Sequence, residues 1–293
     1  PGDSAGFYGV KNTADITAGK NVLFANTDTI SGKPTPSIGV AGRIENSGNI
    51  DSGDSVYMYS VDSLENTGNI TAVNNVVLNS TNDIINNSSD TTSAGGPQGI
   101  WAKNGYVDID ATNNVKNLVG NITAKEEVFI NSWKADTTNE ANIEASKDII
   151  ITAANQLINK GDLVITKDGN GDPVVTSKGD IVIYAGRTEG GASTGDGVVI
   201  NEGNFTNMSA GDIFLAAEGD VHNSGVMEAQ YGNIDIASFE GNVNNDVGGD
   251  LYAAGGDITL SALTDGDVVN KGDAMALGSD EKGGAISLIS VSG

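Results

Sequence analysis

Between Gly120 and Ala154 the chain says nearly the same thing twice. GNITAKEEVFINS and ANIEASKDIIITAA each set one isoleucine, Ile122 or Ile143, six residues ahead of a strand-like apolar run, Val128-Phe129-Ile130 or Ile149-Ile150-Ile151. Repetition at a fixed period constrains a fold more than any local motif, because each unit must then pack against its own kind. The template runs Gly, Asn or Asp, an apolar lead, any residue, Ala or Ser, a polar step, then the apolar run. It recurs from Gly48, Gly68, Gly161, Gly203, Gly225 and Gly249, more weakly from Asp15, without its Gly-Asn start from Ile100, and in decayed form from Gly272. The apolar leads are Ile16, Ile50, Ile70, Ile100, Ile122, Ile143, Leu163, Phe205, Val226, Leu251 and Ala274, and several neighbours lie 20 to 22 residues apart.

About 20 residues make two or three short strands joined by tight turns, which is one coil of a β-solenoid. Such a unit cannot bury its own apolar face, so coils must stack into a continuous core. Helical recurrence at i, i+3, i+4 is nearly absent. The expected fold is all-β, a parallel β-helix of about eleven turns, forming one elongated domain over 1–293. At a strand spacing of about 4.8 Å the rod is roughly 50 Å long.

Loop excursions interrupt the period near 25–43, 79–99, 167–178 and 187–197. The first contains Pro34 and Pro36, where ladder pairing should fail. The step from Leu163 to Phe205 is read as one coil with two inserts, its second strand being Ile181-Val182-Ile183. The excursions at 25–43, 79–99 and 187–197 follow the second strand of their coils, so a single decorated corner is expected.

Asn46, Asn66, Asn86, Asn117, Asn159, Asn201, Asn223, Asn245 and Asn270 precede turn starts in the same way. Stacked coils would align them, and a column of Asn can pass amide hydrogen bonds from coil to coil. Equally, each Asn, like the Gly that often follows, suits a corner needing left-handed backbone.

The chain carries 15 basic and 39 acidic residues, a net charge of −24. Nucleic acid and anionic membrane surfaces require a basic footprint and are excluded as main partners. An acidic coat that keeps a long rod soluble is the plain reading. Cysteine is absent, which excludes thiolate chemistry and disulfides. No apolar run has the length of a membrane span. No signal peptide is visible at Pro1-Gly2-Asp3, so a mature product or an excised piece is expected.

Candidate chemistry is sparse. Asp168-Gly-Asn170-Gly-Asp172 places oxygen side chains at positions 1, 3 and 5 of a calcium-type loop, but Pro173 stands where Gly is expected and no Glu closes the site. An ordinary Asp/Gly hairpin turn is favoured over bound calcium, and no other cofactor is expected. The sole histidine, His222, reads as an exposed turn residue. GDGVV and TDGDVV lack the following helix that a phosphate loop needs. Carboxylate pairs are plentiful without any that context marks, and Arg43, Lys125, Lys147 and Arg187 do not cluster. Sequons at Asn69, Asn79, Asn87, Asn121, Asn204 and Asn207 follow from an Asn/Thr-rich repeat. No catalytic residue is assigned. Trp101, Tyr106 and Trp133 border irregular segments; an aromatic there caps a gap in the core or anchors a sugar or protein. Trp101, Trp133 and Arg187 are the binding-loop candidates.

GNITAKEEVFINS, EASKDIIITAANQLINKGDL and GDIFLAAEGDVHNSGVMEAQYGNIDI resemble the haemagglutinin repeats of filamentous-haemagglutinin-type exoproteins, bacterial adhesins of the two-partner secretion route. The resemblance spans about Arg43 to Leu288. It implies a right-handed β-helix, export through an outer-membrane secretion partner, display at the bacterial surface or release, and attachment to a host or bacterial glycan or protein. The Asn-Pro-Asn-Gly-type motif of that family's secretion domain is not found, which points to a shaft or receptor-binding region. The family's repeats carry no catalytic residue, and no enzyme is expected. A self-associating fibre, the stalk of a contact-dependent toxin, and a β-helix polysaccharide lyase or hydrolase are the alternatives.

Overall fold

A computed structural model describes residues 9–25, 42–88, 99–166, 179–278 and 283–291, and the backbone of 27–30 and 33–36. Each coil gives one strand to each of three sheets, and every sheet is eleven parallel strands stacked in chain order. The first coil sets the pattern, with Gly9–Asn12 in the first sheet, Ile16–Ala18 in the second and Val22–Ala25 in the third. The expected parallel β-helix of about eleven turns is therefore observed, and no helix occurs among the described residues.

Strand periodicity builds the interior. In Val56–Ser60 the side chains of Val56, Met58 and Ser60 are buried while Tyr57 and Tyr59 stand outward. Register then sets like on like. Ile50, Ile70, Ile100, Ile122, Ile143, Leu163, Phe205, Met227 and Leu251 form one inward column, each within 2 % of complete burial. Each such side chain contributes about 1.5–3 kcal/mol of hydrophobic stabilisation.

One lead in this column differs from expectation. Met227, not Val226, pairs with Phe205, and Val226 is 40 % exposed. Since side chains alternate faces, a slip of one residue moves every apolar group to the wrong side. Leu163 pairs directly with Phe205, so the long step is one coil with inserts.

The first sheet occupies what the sequence presents as turn starts. Arg43–Asn46, Leu64–Asn66 and Ile84–Asn87 are among its strands. His222 accordingly lies mid-strand in Val221–Asn223 rather than at a turn. Segment 79–99 is also shorter as an excursion than expected, because Asn79 and Ser80 end a third-sheet strand and Ile84–Asn87 belongs to the first. A single decorated corner does not form. Excursions 25–43 and 187–197 leave between the third and first sheets, but 89–98 leaves between first and second, and 167–178 between second and third. Within 25–43, Thr27–Ile30 and Lys33–Pro36 pair only with each other, antiparallel, so Pro34 and Pro36 sit on an edge strand off the coil ladder.

The asparagine column is continuous. Nδ2 of each residue donates to Oδ1 of the next in the series Asn12, Asn46, Asn66, Asn86, Asn117, Asn139, Asn159, Asn201, Asn223, Asn245, Asn270, at 2.6–2.9 Å. The nine interior members are at most 1 % exposed. Several spend their second amide hydrogen on the carbonyl of the Gly two residues on, as Asn201 does with Gly203 at 2.9 Å. None of these Asn has positive φ, so the ladder and not left-handed backbone is why Asn stands there. Nor is positive φ the reason for the paired Gly: a Cβ on Gly225 would lie 1.9 Å from the carbonyl oxygen of Gly203 one coil back. Close stacking of corners demands Gly.

The second template position has an equally local cause. The carboxylate or amide oxygen of Asp162 accepts from the Asn204 N–H at 3.1 Å, and Asn204 from Val226 N–H at 3.0 Å. Parallel columns run at the other corners, through Asp180, Asp212 and Asn233 and through Asp83, Asn114 and Asp136. Part of the acidity thus carries bonds between coils and is more than a soluble coat.

Candidate functional site

With the interior fully occupied by stacking, ligand chemistry is left to outward residues and corners. On the second sheet Trp101 stands between Thr71 and Thr123 of the neighbouring coils, while Ile100 and Ala102 point inward. It therefore does not cap a core gap. Ala102 pairs with Ala124, which places Lys103 and Lys125 at the same corner on successive coils. The Lys103 Nζ lies 5.0 Å from the centre of the Trp101 ring system, a cation–π contact. Trp101, Lys103, Thr123, Lys125, Glu144 and Ser146 surround a depression of about 280 Å³ that also touches Ala124 and Thr166. Of this pair the sequence singled out Lys125 alone; Lys103 stands 22 residues earlier, which is the coil period itself and was the available signal.

Trp133 and Arg187 both follow third-sheet strands, Val128–Ser132 and Ile181–Ala185, with one coil between. They share a corner, and Trp101 belongs to a different sheet. Arg187 is engaged internally. Its guanidinium sits 4.5 Å from the Tyr184 ring centre, and its Nε is 3.8 Å from Oε1 of Glu218, to which the Tyr184 hydroxyl donates. Burial, then the Glu218 carboxylate, pushes the Tyr184 phenol up to about 12. The loop closes by an Arg187–Ser193 bridge, by Thr194 N–H to Gly186 oxygen at 2.8 Å and by Thr194 Oγ1 to Ala154 oxygen at 2.8 Å. Gly186 makes this exit at φ 108°, with no room for a Cβ against the Glu218 side chain.

The outer face of the third sheet holds a carboxylate pair that sequence context did not mark. Asp108 and Asp110 point outward from Val107–Ala111, about 7 Å apart along the strand. Asp110 accepts from Asn131 Nδ2 at 2.7 Å. Burial, and then the Asp110 charge, pushes Asp108 up to about 7; burial also raises Asp110, against the Asn131 hydrogen bond. Tyr59 and Tyr106 are raised by burial, with Asp108 among the charges acting on both. Tyr57 and Tyr59 stack at 6.4 Å beside Leu23.

Asp168, Asn170 and Asp172 lie outside the described residues. Among the described residues, no group of three or more His, Cys, Asp and Glu side chains could hold a metal ion, and no helix is long and apolar enough to cross a membrane. Compared with known proteins, the chain matches no protein-family model, no curated protein and no solved structure.

Proposed function

We propose that this chain is the shaft and binding face of a bacterial cell-surface or secreted adhesin of the filamentous-haemagglutinin type, exported through an outer-membrane partner, that attaches to glycan or protein on host cells or other bacteria. The observation that carries this reading is the unbroken column of eleven asparagines. A bonded column from first coil to last suits a rod whose work is reach and presentation. Side chains are then free only outside, on flat sheets and at loop-bearing corners, where a surface partner can be met.

The test is attachment. Beads coated with the purified chain should bind epithelial or bacterial cells saturably and be displaced by soluble chain. No binding above uncoated beads, on any cell type, overturns the reading.

One observation favours a polysaccharide hydrolase as second reading. Asp108, its carboxyl raised to about 7 by burial and the Asp110 charge, and Asp110 stand two residues apart on one outer face, and a neighbouring pair of carboxyl groups is the equipment such enzymes use. Reducing-end release from a glycan panel, lost in Asp108→Asn, would establish it; no release from any glycan would remove it.

A further inference from the structure

The ligand class can be narrowed from the second-sheet depression around Trp101. Four features meet there. An indole stands outward on a flat sheet, and the apolar face of a pyranose packs on such a ring. Lys103 and Lys125 stack at one corner on adjacent coils, about 5 Å apart at the backbone. Among the described residues neither has a carboxylate within ion-pair distance, whereas Lys147, Lys160 and Lys271 each pair with an acid on the preceding coil. In a chain of net charge −24, two adjacent ammonium groups with no ion pair among the described residues are a conspicuous local excess. Thr123, Ser146 and Thr166 add hydroxyls that donate and accept, as sugar hydroxyls do.

We infer that this depression binds a terminal sugar carrying a single carboxylate, its ring on Trp101 and its carboxylate between Lys103 and Lys125. The inference rests on the adhesin reading for its biological setting but not for its chemistry. Charge also limits what fits. Glu144 forms part of the wall and, with the acidic rod around it, repels a second anionic group, so a polysulfated chain or a nucleic acid is disfavoured. Lysine heads are mobile point charges in water, so attraction is modest and screened by salt.

The experiment compares disaccharides that differ only at C6 of the terminal residue, glucuronic acid against glucose, by calorimetry on the 293-residue chain. A glucose-terminated disaccharide carrying several sulfates is the third arm. The expected result is a preference of roughly tenfold for the carboxylate over the neutral sugar, disappearing in about 0.5 M NaCl. Lys103→Gln with Lys125→Gln should erase the preference while leaving weak neutral binding, and Trp101→Ala should abolish both. All three side chains point outward, and an unchanged far-UV circular dichroism spectrum verifies the coils. Equal binding of acid and neutral sugar, no binding of either, unchanged preference in the double lysine variant, or equal binding of the sulfate overturns the assignment. The same variants in the bead assay separate the two readings. Cell attachment that survives Trp101→Ala leaves the adhesin and removes this site from attachment. Carboxylate binding by beads that attach to no cell keeps the site and removes the adhesin.

Discussion

A middle coil and the last coil are built on one template yet differ in what surrounds them. In the seventh coil Ile181 and Ile183 are fully buried, held between Ile149 and Ile151 on one side and Ile213 and Leu215 on the other. In the last, Ile286 and Leu288 continue the same inward columns but are 45 % and 53 % exposed, packed only on Ile258 and Leu260. Identical pattern therefore gives unequal burial. The core of this fold belongs to pairs of neighbouring coils, and a coil stacked on one side realises about half of its share.

The comparison is broken hardest by truncating both positions. Ile183→Ala should cost about 2–5 kcal/mol in denaturant unfolding, and Leu288→Ala less than about 1 kcal/mol. Equal losses would mean that stability is not set by two-sided stacking. The next largest contrast is in the amide ladder. Asn159→Ala strands the Asn139 donor and the Asn201 acceptor in a dry column and should cost about 2–4 kcal/mol, whereas Asn270→Ala, half-buried with one ladder neighbour, should cost under about 1 kcal/mol.

A smaller effect sharpens the contrast on the outside of the rod. The folded carboxyl of Asp108 is raised from its ordinary value to about 7, so the folded state binds the extra proton. Stability from this group is present below pH about 4 and is lost as pH rises towards 7. Asp108→Asn should remove that decline and stabilise the protein at pH 8 by on the order of 1 kcal/mol, discounted for the water still reaching the group. Melting temperatures from pH 4 to 8 measure it. Smallest of all, Lys160→Gln breaks an exposed intercoil pair with Glu140 at 3.1 Å and should lower the unfolding midpoint less than any of the changes above, the difference vanishing at high salt.

What the sequence disclosed follows from the same neighbour logic. Ten of the eleven leads were legible because inward columns need large apolar groups at one phase; Val226 misled because Val226-Met227 offers two apolar residues, and only pairing with Phe205 chooses between them. Asn139 and Asn12 escaped notice because neither is followed by the Gly that marks most of the other corners, though both carry ladder bonds. The first sheet was mistaken for turns since its strands are only three to five residues of mixed polarity, as Val221–Asn223 is. At the Trp101 depression the indole and Lys125 were each visible alone. Their meeting with Lys103 was not, because outward residues obey no hydrophobic pattern and meet only across coils.

The ladder also fixes how the rod meets force. Its amide bonds and the backbone bonds of all three sheets join one coil to the next, so they lie along the length of the molecule. A pull applied end to end loads them one layer at a time, and the rod pays out as a spool does. Each coil of some 20 residues released adds about 70 Å of slack, so a tether made this way yields in small steps while the layers behind it stay wound.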